Sequence, residues 1–107
     1  MDQFIILNEV EYFTPNKGLK AKVVHTETQT YAFWEIDKGT VLPTHKHFHE
    51  QVSFVTEGKL ELTIENETKI VTKGMFVYIP PNTNHTARAI SNVMLTDVFT
   101  PVREDFK

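Results

Sequence analysis

The sequence predicts an all-β domain, a sandwich or barrel of seven or eight short antiparallel strands, on three grounds. The dominant hydrophobic period is two, and helix signals are scarce. β-Branched and aromatic residues crowd into short runs, the pattern that suits a pleated, half-buried surface. Turn chemistry recurs at a spacing of about 8–12 residues, as in small β-domains.

Taken in order, the expected strands are "KAKVVHTE" (20–27), "TYAFWEI" (30–36), "QVSFVTE" (51–57), "KLELTIEN" (59–66), "TKIVT" (68–72), "MFVYI" (75–79), "HTARAI" (85–90) and "VMLTDVFT" (93–100). The alternation is cleanest in the fourth run, where Leu60, Leu62 and Ile64 share one face and Glu61, Thr63 and Glu65 the other. The separators "PNKG", "DKGT", "TEGK", "ENET", "TKG" and "PPNTN" are turn formers. Tight turns at Glu57-Gly58 and Asn66-Glu67 predict a three-stranded antiparallel meander over 51–72. Phe54, Met75 and Phe76 read as interior filling, and Trp34 as core or subunit interface. The closing "TPVREDFK" is polar with one Pro and reads, on periodicity, as a tail.

A chain of 107 residues makes one domain, 1–107, long enough to bury a core. With 40% hydrophobic residues, four Gly and five Pro, its composition argues against disorder, collagen-like repeats and low complexity. A net charge of -3 argues against nucleic acid bound through a basic surface. There is no cysteine, so disulfides and thiolate metal sites are excluded and any metal is held by nitrogen and oxygen. The start, "MDQFIIL", carries an acidic residue where a signal peptide needs positive charge. No stretch approaches the ~20 apolar residues of a membrane helix. A soluble, cytoplasmic protein with no membrane partner is therefore expected.

Chemistry concentrates in "THKHFHEQVSF" (44–54), which holds three of the five histidines, His45, His47 and His49. On a strand, residues i and i+2 point to one side, so His45 and His47 present two imidazoles together. Imidazole is the common nitrogen ligand of Zn, Cu, Fe and Ni, and such a pair supplies half a coordination sphere. Further ligands must come from a facing element, where His85 and Gln51 are candidates. His49 has the same parity, so spacing does not exclude it. His25, alone in its run, reads as a surface or edge-strand residue.

The register of these residues is informative. Gly39 is followed after five residues by His45-x-His47, after three more by Gln51, and after six more by Gly58. Gly74 is followed after five residues by Pro80, then Asn82, then His85. In order, these resemble the two motifs of the cupin superfamily, G(X)5HXH(X)3-4E(X)6G and G(X)5PXG(X)2H(X)3N. Asn82 stands for a Gly and Ala89 for the final Asn; Asn tolerates the left-handed backbone that a turn Gly supplies. The resemblance implies a small antiparallel β-barrel or jelly roll, with the metal inside and reached from one open end. Gln51 stands where most metal-binding cupins place Glu. A neutral amide leaves the charge of a divalent site near about +2, which favours Lewis-acid chemistry and an anionic substrate. The register skips His49, leaving it at the mouth of the site, in reach of substrate, or in solvent.

"HKHFHEQ", "YIPPNTNH" and "DVFTPVREDF" together are similar to the KdgF group of small cupins, associated with pectin and alginate catabolism. That resemblance implies a metal-dependent enzyme that opens 4,5-unsaturated uronate monosaccharides to the linear 4-deoxy-5-keto-uronate. It places a divalent transition metal (Zn, Ni, Mn or Fe) on His45, His47, Gln51 and His85. Asp97 would transfer protons, Phe99 would wall the sugar pocket, and Arg103 would pair with the carboxylate of an anionic sugar. Arg88, out of phase with His85, reads as outward-facing. Small cupins commonly dimerise, so a homodimer is expected. The alternatives are a small metal-dependent cupin dioxygenase and a non-catalytic sugar- or effector-binding cupin.

Overall fold

The computed structural model describes all 107 residues as ten strands in two facing sheets, a jelly roll. In chain order the strands are β1 (Tyr12–Asn16), β2 (Leu19–His25), β3 (Thr30–Ile36), β4 (Val41–His45), β5 (Glu50–Glu57), β6 (Leu60–Ile64), β7 (Glu67–Val71), β8 (Val77–Ile79), β9 (His85–Ala89) and β10 (Val93–Thr100). Six form one sheet in the order β1-β2-β3-β10-β5-β8, and four the other, β4-β9-β6-β7. All pairings are antiparallel. The two sheets do not close into one barrel, so of the two expected forms the jelly roll is the one observed. No helix is long and apolar enough to cross a membrane.

Alternation decides the core. On β3, Thr30, Ala32, Trp34 and Ile36 point inward, and on β10, Val93, Leu95, Asp97 and Phe99 do the same. Across the sheet these form rows, Trp34–Leu95–Val55, Ala32–Asp97–Ser53 and Thr30–Phe99–Gln51. Leu60, Leu62, Val71, Ala87 and Ala89 cover them from the four-stranded sheet. Each fully buried Leu, Ile or Val side chain in this core contributes about 1.5–3 kcal/mol by leaving water.

Several expectations need correction. The meander does not form: β5 lies between β10 and β8 in one sheet, while β6 lies between β9 and β7 in the other. Both edges of each strand are thus filled, and Gly58 carries the chain across. Its φ is +88°, and a Cβ there would sit 2.1 Å from the Asn92 carbonyl oxygen, so only glycine fits. The second hairpin turns at Glu65-Asn66, one residue earlier than expected, with Glu65 at φ 52°. Phe54 and Phe76 are not interior. The inner face of β5 is taken by Gln51, Ser53 and Val55, so parity sends Phe54 outward, where its ring meets that of Phe76 at 5.5 Å. Met75 does pack against the core. The polar C-terminus is no free tail: Glu104–Phe106 form a 3-10 turn. The Phe106 ring lies 5.1 Å from Phe13, 5.6 Å from Phe99 and 6.1 Å from Trp34.

Candidate metal centre and cavity

His45 ends β4 and His85 opens β9, and the two are direct partners in the ladder. His47 lies beyond the end of β4, so the expected common strand face does not exist. The chain must leave one sheet and enter the other within Lys46–His49, and it bends to do so. The Asn82 N–H donates to the His47 carbonyl at 2.7 Å, tying this bend to the Pro80–Asn84 turn. Asn82 has φ 59°, the left-handed conformation that its place in the second motif requires.

The bend still brings three imidazoles together. Ring centroids are 4.2 Å apart for His45–His85, 5.1 Å for His47–His85 and 5.8 Å for His45–His47. One ring nitrogen of each lies within 4.8 Å of the others. Their tautomers follow from the neighbours. Nδ1 of His45 faces the Pro43 carbonyl at 2.8 Å, that of His85 the Thr83 carbonyl at 2.9 Å, and that of His47 the His49 carbonyl at 3.1 Å. A carbonyl only accepts, so each Nδ1 carries the proton and each Nε2 is left with a lone pair. Nε2 of His85 is buried and has no partner at all.

Gln51 completes the set. Its Nε2 donates to Ser53 Oγ at 3.0 Å, and Ser53 donates to Asp97 Oδ1 at 2.6 Å. That fixes the amide with Oε1 toward the histidines, 3.0 Å from His47 Nε2. Two acceptors then face each other, an arrangement that a shared cation relieves. Three lone pairs and an amide oxygen, each oriented by an outer hydrogen bond, fit a divalent transition metal. Burial holds His85 down to about 4, and burial followed by the Arg103 charge lowers His47. Both rings are therefore neutral, as ligands must be.

Asp97 is buried between Ala32 and Ser53. Burial pushes its carboxyl up to about 6, against opposing pulls from Ser53, Gln51, Trp34 and the Arg103 charge. The Arg103 guanidinium lies 4.6 Å from the Phe99 ring and 4.1 Å from the Phe106 ring. Its Nε and Nη2 donate to Asp105 at 2.9 and 2.7 Å, which holds the Asp105 carboxyl low. His45, His85, Gln51, Asp97, Phe99 and Arg103 all line one cavity of about 210 Å³. Trp34, Leu60, Leu62 and Val71 supply an apolar part of its lining.

His49 is buried, stacked on Phe48 at 4.0 Å, and contributes nothing to the cavity wall. Arg88 points outward to Glu61, and His25 bonds Thr30. Sequence reasoning missed Ser53, Asp105 and the packing role of Phe106. Ser53 shares parity with Gln51, and a serine on an otherwise apolar core face was the available signal.

Residues 32–99 match the Cupin domain family. The chain belongs to the cupin family. This cupin is 28% identical to the pectin degradation protein KdgF of Dickeya dadantii, over 99% of each chain. It is 31% identical to an uncharacterized protein of Methanocaldococcus jannaschii, over 78% of this chain and 72% of that one. Among solved structures, KdgF from Halomonas sp. superposes with a TM-score of 0.92 at 28% identity, covering 98% of this chain and all of that one. An RmlC-like cupin from Shewanella frigidimarina gives 0.93 at 30% identity, covering 100% and 97%.

Proposed function

We propose that this cupin opens the ring of 4,5-unsaturated uronate monosaccharides, giving linear 4-deoxy-5-keto-uronates. The observation that carries the reading is the placement of Asp97 and Arg103 in one cavity wall with the histidine cluster. Its likeness over the full chain to KdgF proteins, one of them named for pectin degradation, supports the substrate class.

A divalent cation on His45, His47, Gln51 and His85 would supply Lewis-acid polarisation of a sugar oxygen and positive charge for an anionic ligand. The remaining work falls to side chains. The guanidinium of Arg103 keeps its Nη1 N–H groups free of Asp105, and these suit a substrate carboxylate. Phe99 gives the sugar ring an apolar wall. The reaction is an isomerisation: the anomeric hydroxyl loses its proton, the bond from C1 to the ring oxygen breaks, and C4 gains a proton as C5 becomes a ketone. Asp97, held near about 6, takes up and returns a proton at neutral pH without a large penalty in either form.

The test is a time course on unsaturated monomers freshly released from polygalacturonate and from alginate. Ultraviolet absorbance of the conjugated double bond is expected to vanish far faster than spontaneously, and chelation or His45→Ala to abolish the acceleration. Arg103→Lys is expected to raise KM with metal content unchanged, since Lys offers no planar fork. A folded, metal-loaded sample that never exceeds the spontaneous rate removes the reading.

A second copy of the chain is the partner proposed for the outer face of the six-stranded sheet. There Phe54, Phe76, Tyr78 and Met94 are exposed, as are Phe4 and Ile6 of the N-terminal segment. Light scattering is expected to give twice 12.4 kDa, and a monomer at micromolar concentration would refute it.

A further inference from the structure

One peptide unit, Val102–Arg103, is gripped at both of its polar groups. Nε2–H of His49 donates to the Val102 carbonyl at 3.3 Å. The Arg103 N–H donates to Thr30 Oγ1 at 2.8 Å. The two grips come from separate elements, the bend before β5 and the first residue of β3. Thr30 is fully buried, and its oxygen also lies 2.8 Å from Nδ1 of His25. A hydroxyl oxygen has two lone pairs, so it accepts from Arg103 while its contact with His25 Nδ1 keeps the Thr30 side chain in place. His49 is buried and its Nδ1 has no partner, so its one bond outward is the one to this segment.

Fixing both the donor and the acceptor of a peptide fixes its plane, and with it the direction in which Arg103 leaves the backbone. Beyond that point the side chain has little freedom, set between the Phe99 and Phe106 rings and bound along one edge by Asp105. We infer that His49 and Thr30 are positioning residues for Arg103, clamping the Val102–Arg103 peptide so that the free side of the guanidinium faces a carboxylate in the cavity. The third histidine of the His45, His47, His49 run thus serves the arginine and neither the metal nor the substrate directly. This inference rests on the carboxylate-binding role of Arg103 proposed above.

The test is a double-mutant cycle read by binding, independent of turnover. Metal-loaded protein is titrated with D-galacturonate, an unreactive carboxylate sugar, and with D-galactose as its neutral counterpart. Thr30→Val keeps the shape and removes the acceptor; it is expected to weaken galacturonate binding about tenfold and leave galactose unchanged. Thr30→Ser keeps the hydroxyl and is expected to stay within about twofold of wild type. His49→Gln, which retains a donor, is expected to hold affinity that His49→Leu loses. In an Arg103→Met background, Thr30→Val is expected to change binding by less than about twofold, because its effect runs through the arginine. The inference is overturned if wild type shows no preference for galacturonate, if Thr30→Val binds it normally, or if its effect persists without Arg103. Coupling in this cycle with no turnover of unsaturated sugars would sink the ring-opening reading alone.

Discussion

Asp97→Asn is expected to lower turnover by about two to four orders of magnitude while metal content stays intact, the range lost when a positioned acid–base group is removed. The amide keeps the volume and accepts the Ser53 hydroxyl but exchanges no proton. The same substitution is expected to stabilise the metal-free protein at neutral pH. The carboxyl sits at about 6 in the folded chain against its ordinary 3.8, so between those values the native state binds the extra proton. Stability from this group is therefore present below 3.8 and lost as pH rises through about 6. The loss amounts to about 3 kcal/mol above that window, and an amide escapes it. A chelated Asp97→Asn variant should melt higher than chelated wild type at pH 7.5, and lower near pH 3.5 or equal to it. Full turnover in the variant would remove Asp97 from the mechanism.

The hydrogen-bonded chain from Asp97 through Ser53 gives Gln51 a reason to be an amide. It donates to Ser53 while offering Oε1 to the histidines, and Ser53 in turn donates to Asp97. A carboxylate at position 51 only accepts. The Ser53 hydroxyl would then face two carboxylates with a single hydrogen, and two negative charges would lie in neighbouring rows of one buried sheet face. The amide turns an oxygen to the cluster and a donor to the Ser53–Asp97 chain without adding a charge beside it.

How much of this was legible in the sequence depended on local period. Eight short runs rich in β-branched and aromatic residues marked eight of the ten strands. β1 and β4 were missed because each contains a proline, Pro15 and Pro43, which reads as a breaker yet is permitted on the sheet edges these strands occupy. Strand order was not legible, since a two-residue turn specifies a hairpin only when the next edge is free, and at Gly58 it is not. The parity of Leu95, Asp97 and Phe99 placed the carboxylate correctly on the core face. The role of His49 was hidden because its partner lies 53 residues away in a segment with no periodicity.

His85→Ala is expected to strip the protein of metal, weakening affinity by more than about a hundredfold, since even outer-shell changes at such sites cost ten- to a hundredfold. His49→Gln, by contrast, should load one metal per chain, because His49 lies outside the cluster of His45, His47 and His85. Metal analysis after dialysis decides both, and metal loss from the His49 variant would return it to the ligand set. Stability should follow the same residue. Burial holds the folded His85 at about 4 against its ordinary 6.5, so the unfolded chain binds more protons in that window. Its contribution is fully present above 6.5 and is lost as pH falls through about 4. Asp97 acts in the opposite sense over much of the same range, so the chelated wild type should show a shallow pH dependence there. Asp97→Asn should turn this shallow dependence into a clear rise in melting temperature from pH 4.5 to 7, and His85→Ala, which leaves the Asp97 contribution unopposed, should turn it into a fall. Equal slopes in all three chelated proteins would mean that neither buried group titrates as its surroundings require.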